Sequence, residues 1–142
     1  MKKLLCFLSV LLPFATGIHA EETNNKVLVA YFSATGTTAG VAEKLANAIN
    51  ADLFEIKPEQ PYTSEDLNWQ TNQSRSSIEM GDKSSRPQIA SKIEDVSQYN
   101  IIFVGSPIWW GREPSIMDTF IESYDFAGKT VIPFVTSGSS GI

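Results

Sequence analysis

The chain has 142 residues, 42% apolar and 19% charged, the size and composition of one globular domain. Its 16 acidic residues outweigh 11 basic ones, a formal net charge of −5, which argues against a nucleic-acid-binding face, ordinarily basic. The single cysteine and single histidine, Cys6 and His19, both lie near the amino terminus; beyond them no disulfide, cysteine nucleophile, Ser-His-Asp triad or His- or Cys-ligated zinc site can be built.

Lys2 and Lys3 precede an almost unbroken apolar run from Leu4 to Phe14, and the segment Ala15 to Ala20 ends on a small residue. This is the layout of a secretory signal peptide. The run is too short to cross a bilayer, which takes about 20 residues. We therefore expect a leader over 1–20, cleaved near Ala20, and a domain over 21–142. The expected location is the periplasm or the medium of a bacterium, with no membrane span after cleavage. Without the leader the mature chain has no cysteine or histidine and is more acidic still. Its chemistry must then come from carboxylates, hydroxyls, backbone amides or a bound cofactor.

Lys26 to Phe32 is a β-branched and aromatic run and predicts a buried strand. Val41, Leu45 and Ile49 recur every four residues with Ala42 and Ala46 beside them, which predicts a helix over 39–50 with one apolar face. Ala51 to Lys57 alternates and predicts a half-buried edge strand. The polar stretch from Pro58 to Ser85 reads as a long loop with one short helix around 64–73. A helix is expected over 87–97, with Ile89, Ile93 and Val96 on one face. Asn100 to Gly105 is apolar enough for a strand buried on both faces. Pro114 to Tyr124 predicts a helix with Pro114 near its first turn, and Thr130 to Val135 a fourth strand. Strands alternating with helices define an α/β fold with a doubly wound parallel sheet.

Ligands of such sheets bind outside the carboxyl ends of the strands, so the loops after the strands carry the functional signal. After the first strand, Ser33-Ala-Thr-Gly-Thr-Thr38 leads into a helix. Its hydroxyls and backbone N–H groups form a phosphate cradle, or else a Ser/Thr-rich helix cap. It lacks the lysine of an NTPase loop and the three glycines of a dinucleotide turn. After the third strand, Pro107-Ile-Trp-Trp-Gly111 places two large rings in a loop, where they suit stacking on a flat heterocycle or cover the sheet edge. After the fourth, Thr136-Ser-Gly138 and the residues to Gly141 offer backbone N–H groups to a ring edge, or a plain linker.

Taken together, Ser33-x-Thr-Gly-x-Thr38 and Pro107-Ile-Trp-Trp-Gly111 resemble the phosphate loop and the flavin-stacking loop of the flavodoxin family. The likeness runs from about Lys26 to Ile142 and includes Asp125 to Lys129 and Pro133 to Gly138. It implies FMN as cofactor. It also implies that Ser33, Thr35, Gly36, Thr37 and Thr38 hold the phosphate. Trp109 or Trp110 would stack on the ring, Trp109 lying nearer the usual stacking position. Thr136, Ser137 and Gly138 would approach the pyrimidine edge, and Pro107, Ile108 and Gly111 complete the second loop. The strand order 2-1-3-4-5 with FMN at the β1/β3 switch point is that family's known topology, carried over with the resemblance. Here the expected order is 2-1-3-4, with the fifth strand and the last helices absent. Strands three and four would then expose apolar side chains, for which a dimer through the uncovered sheet face is one outcome.

Three functions follow from the resemblance. An FMN-binding electron carrier would dock a redox partner protein, basic to match the acidic chain. An FMN-dependent NAD(P)H or quinone oxidoreductase would need a wall for a second flat molecule, which the stretch 58–85 could form, with Arg75 or Arg86 either meeting a nucleotide phosphate or, the more ordinary reading, standing as solvated surface arginines. A shortened chain that no longer binds flavin is the third. Steady NAD(P)H oxidation with quinone would mark the enzyme, and single-electron cycling the carrier.

Overall fold

The computed structural model describes residues 25–139. The leader-like segment and the last residues of the third loop, Gly141 among them, lie outside that range. β1 (Val27–Tyr31) is a run of apolar and aromatic residues with nothing to expose, and it sits in the middle of the sheet. It pairs in parallel with β2 (Asp52–Glu55) on one side and β3 (Ile101–Pro107) on the other. β3 pairs in parallel with β4 (Thr130–Thr136), giving the order β2-β1-β3-β4. The expected parallel sheet and its order are present. β2 and β4 are its edges, and Pro133, which has no N–H to donate, is tolerated on β4 for that reason.

α1 (Thr37–Ile49) crosses from β1 to β2 and ends at Asn50, whose left-handed backbone closes the helix. Its buried stripe is Thr38, Ala42 and Ala46. Val41 and Ile49, expected inside, are 43% and 39% exposed. Of the expected apolar face, Ala42 and Ala46 make the contact, with Leu45 partly buried beside them. The short side chains of Ala42 and Ala46 let the helix pack on Val29 and Tyr31, and the larger residues flank that contact.

The opposite face carries the larger core. Leu28, Ala30, Phe32, Ile102 and Val104 of the sheet meet Ile116, Met117 and Phe120 of α3 (Ser115–Glu122), with Ile56, Ile93 and Tyr99 closing the edges. Each fully buried side chain of this size contributes about 1.5–3 kcal/mol. β4 is less covered: Val131, Ile132 and Val135 each keep more than a third of their surface exposed.

Two helical expectations fail. The segment 87–97 forms no α-helix. Instead Ile89 bridges Pro58 in an antiparallel pair, with Glu59 N–H bonding the Gln88 carbonyl at 2.9 Å and Ala90 N–H the Lys57 carbonyl at 2.8 Å. Extended pairing satisfies the backbone there, and only a 3-10 turn, Val96–Gln98, follows, capped by Asp95. The short helix expected at 64–73 is a set of turns, and α2 lies just after it at Arg75–Gly81. Ser74 is the reason: its hydroxyl accepts from Ser77 N–H at 3.3 Å and starts the helix there. Among the described residues no helix is long and apolar enough to cross a membrane.

Candidate functional site

The three loops at the carboxyl ends of β1, β3 and β4 converge. In the first, Gly36 has φ +89°, a backbone that other residues rarely adopt, and it stands at the amino end of α1. Its N–H donates to Ser33 Oγ at 3.1 Å, which closes the turn. No side chain caps α1, so the first N–H groups of the helix, at the positive end of its dipole, are left for another acceptor. Thr35 and Thr37 are exposed beside them. Thr38 is buried, and its hydroxyl lies 2.8 Å from that of Thr136, joining the first loop to the third.

The second loop contains a tight two-residue turn. Trp109 and Arg112 exchange backbone hydrogen bonds of 2.8 and 3.1 Å, and the residues between them, Trp110 and Gly111, have φ of +49° and +79°. Both left-handed, they make the turn type that ordinarily takes Asn-Gly. A tryptophan there costs on the order of 1 kcal/mol of backbone strain. Ile108 N–H bonds the Thr136 carbonyl at 3.0 Å and ties this loop to the third.

The two tryptophans have different surroundings. Trp109 meets Phe32 and Tyr62 edge-on, with ring centroids 5.7 and 5.4 Å away. Tyr62 is itself held. Its hydroxyl donates to Glu79 at 2.5 Å, the Arg75 guanidinium lies 4.0 Å over its ring, and Arg75 pairs with Glu79 at 2.7 Å. Burial first, then the bond to Glu79, push the Tyr62 hydroxyl well above its ordinary range, so it stays a donor. Trp110 is 52% exposed.

One cavity of about 640 Å³ collects these parts. It is lined by Ser33, Thr35, Thr37 and Thr38 of the first loop, Pro107, Ile108, Trp109 and Trp110 of the second, and Thr136, Ser137 and Gly138 of the third. Gly36 and Gly111 shape the turns without lining it. Sequence reasoning missed Leu67 and Trp69, from the connection between β2 and α2, and Ser76 of α2 itself, which line the same cavity with Ala34 and Ser139. The signal for them was slight: a lone tryptophan between Asn68 and Gln70 in a polar run. Arg75 and Arg86 do not line it. Arg75 is held by Glu79 and the Gln60 carbonyl, and Arg86 makes two 2.8 Å bonds to Glu122. Among the described residues no charged side chain lines it.

Such a cavity can hold a flat, partly apolar molecule that carries a phosphate. Helix N–H groups and hydroxyls would meet the anion, and indoles the ring. Its volume falls within the roughly 300–1,000 Å³ usual for small-molecule sites.

Comparison with known proteins agrees with this architecture. A family model described as flavodoxin matches residues 26–142, and the chain belongs to the flavodoxin family. A candidate flavoprotein from Bacteroides eggerthii is 57% identical, with a TM-score of 0.81 over 82% of this chain and 74% of that one. A second, from Bacteroides uniformis, is 56% identical, with a TM-score of 0.80 over the same shares. A flavoprotein of Lactobacillus acidophilus, solved in complex with FMN, is 27% identical, with a TM-score of 0.68 over 82% and 77% of the two chains. No curated protein is recognisably similar.

Proposed function

We propose that the chain binds FMN in this cavity and acts in electron transfer. The observation that carries the reading is the convergence of three strand-end loops on one uncharged cavity at an uncapped helix amino terminus. The FMN complex of the Lactobacillus acidophilus relative supports it. FMN, when bound, supplies one- and two-electron chemistry, and the protein supplies position and electrostatics. Ser33, Thr35, Thr37 and Thr38 with the α1 N–H groups take the phosphate. Trp109, braced by Phe32 and Tyr62, presents a fixed ring to the flavin. Thr136, Ser137 and Gly138 approach its polar edge.

The test is FMN titration of the purified chain, followed by flavin fluorescence. Quenching at micromolar or lower FMN, lost when Trp109 and Trp110 are both changed to alanine, is the expected result. No quenching in a folded chain up to about a millimolar, where binding is worth only about 4 kcal/mol, rejects it. The net charge of −5 favours a basic redox partner, whose reaction with the reduced protein should slow as salt rises. Export is part of the proposal. It rests on the leader-like segment alone, and amino-terminal sequencing of periplasmic protein tests it.

A further inference from the structure

α2 places Glu79 where its side chain is only 12% exposed. Both carboxylate oxygens are engaged there. One accepts from the Tyr62 hydroxyl at 2.5 Å and the other from Arg75 Nε at 2.7 Å. Arg75 donates in turn to the Gln60 carbonyl at 2.7 Å and lays its guanidinium 4.0 Å over the Tyr62 ring. Tyr62 is therefore fixed at its hydroxyl and at its face. Its ring stands 5.4 Å from that of Trp109, at an interplanar angle of 83°.

The backbone of the same residue makes a second connection. The Glu79 carbonyl accepts from Ser115 Oγ at 3.0 Å, and Ser115 Oγ accepts from Arg112 Nη2 at 3.1 Å. Ser115 is buried at the start of α3. Arg112 is the residue that exchanges backbone hydrogen bonds with Trp109 across the Trp110-Gly111 turn. Two routes thus run from Glu79 to Trp109, one to its ring and one to its backbone.

Stability alone does not account for this arrangement. A largely buried ion pair gains little over an apolar replacement of the same shape, yet breaking one leaves a charge unpaired, so its geometry is enforced. Edge-to-face ring contacts tolerate a range of separations, whereas the hydrogen bonds that hold Tyr62 and Arg112 are directional. A ring set in place before its ligand arrives loses less freedom on binding, and affinity gains by that difference.

We propose that Glu79 is the positioning residue for the flavin-stacking ring: through Tyr62 it sets the plane of Trp109, and through Ser115 and Arg112 it sets the backbone that carries it. The inference rests on the FMN reading above and deepens it. It gives a role in the site to a residue that does not line the cavity.

The flavin-free chain, labelled with nitrogen-15, gives one indole N–H resonance for each of its 3 tryptophans, assigned by single Trp→Phe variants. Glu79→Ala and Tyr62→Phe should each move the Trp109 resonance and leave that of Trp69 in place. Ser115→Ala should speed amide exchange at Trp109 and Arg112. FMN titration of each chain follows. Glu79→Ala should weaken FMN by about tenfold or more and Tyr62→Phe by about threefold, and in both the bound flavin should be less quenched at saturation. Glu79→Gln keeps one acceptor for the Tyr62 hydroxyl and should stay within about threefold of the parent. Adding Tyr62→Phe to Glu79→Ala should weaken FMN no further, because both cut the same route. A Glu79→Ala chain with a lower urea midpoint but an unmoved Trp109 indole and parental flavin binding overturns the proposal, since the residue then serves stability alone. Losses from Glu79→Ala and Tyr62→Phe that add overturn it too. Should Glu79→Ala fail to fold, Tyr62→Phe and Ser115→Ala, which each delete one hydroxyl, decide: no change at Trp109 in either overturns it. A parent chain that takes up no FMN rejects the functional reading itself, and the indole and exchange readouts then decide this one.

Discussion

At the amino end of the strands, Lys26 bridges Asp52 at 2.8 Å and donates to Gln98 at 2.7 Å, while Tyr99 donates to the same Asp52 at 2.7 Å. Lys129 reaches the Tyr99 carbonyl at 2.8 Å. Each strand starts at or beside one member of this network. At the carboxyl end of the same strands the cavity lining carries no charge among the described residues, and the first N–H groups of α1 have no side-chain cap. The first end meets its own polar groups with its own charges. The second leaves groups open, as a site for an anion and a flat ring must. Exposed ion pairs contribute little, about 0–1 kcal/mol each, so stability should be far more sensitive to the aromatic bracing of the site than to the charged end.

Trp109→Ala tests that ranking with the largest effect. It removes a ring packed on Phe32 and Tyr62, and about 3 kcal/mol of stability should go with it, read as a shift of the urea midpoint. FMN affinity should fall by about tenfold or more, since the stacking ring and its brace are lost together. Asp52→Ala at the other end should cost less than about 1 kcal/mol. Equal losses from the two variants would break the comparison.

Gly36→Ala separates backbone from contact at the site end. A methyl group there meets nothing within 4 Å, so its whole cost comes from φ +89°. About 1–2 kcal/mol is expected, with FMN binding weakened as the helix amino end tilts. Gly36→Asn should recover part of both, because asparagine tolerates that backbone better. Thr38→Val keeps the shape of a buried side chain and deletes its 2.8 Å bond to Thr136. A loss of about 1 kcal/mol and a loosened third loop should follow, seen as faster amide exchange at residues 136–138. Salt sharpens the same contrast. With no cation lining the cavity, FMN affinity should stay flat or rise slightly as salt screens the net negative chain. A steep fall would reveal a cationic contact at the phosphate.

β1, β3 and β4 were legible as short apolar runs and β2 by its alternation, and the loops after β1, β3 and β4 carried the site in their residue types. Trp109 and Trp110 were readable as a pair but not as two roles. Only Phe32 and Tyr62, one far earlier in the chain and one in a polar stretch, decide which ring is braced. α1 was placed, yet its contact line depended on how closely β1 admits Ala42 and Ala46, which period alone does not reveal. The helix expected at 87–97 failed because Ile89 found a backbone partner at Pro58, a tertiary pairing that overrides a weak local period. Trp69 reaches the cavity through turns between Thr63 and Ser76 whose hydrogen bonds join residues of no distinctive pattern.

The smallest effect expected is the most direct check on the charged end. Bonds from Lys26, then Tyr99, hold the Asp52 carboxyl below its ordinary value of 3.8. Its contribution is therefore complete above that value and is lost as pH falls below it, through the lower folded pKa. Burial first, then the bond to Asp52, push the Tyr99 hydroxyl up to about 12 from 10.0. The folded chain resists ionising it, so stability is kept below pH 10.0 and declines as pH rises toward about 12. Asp52→Asn removes the acid-side loss and trims the alkaline one, leaving the parts due to burial and to the charge of Asp95. Because Asp52 is half exposed, solvent screening holds the change near neutral pH to about 0.5 kcal/mol or less. Urea midpoints from acid to alkaline pH read both limbs, and FMN titration at neutral pH should give the same dissociation constant for variant and parent. A shift of more than about twofold, roughly 0.4 kcal/mol, would mean that the ends communicate through the strands, and the division of labour between them would fail.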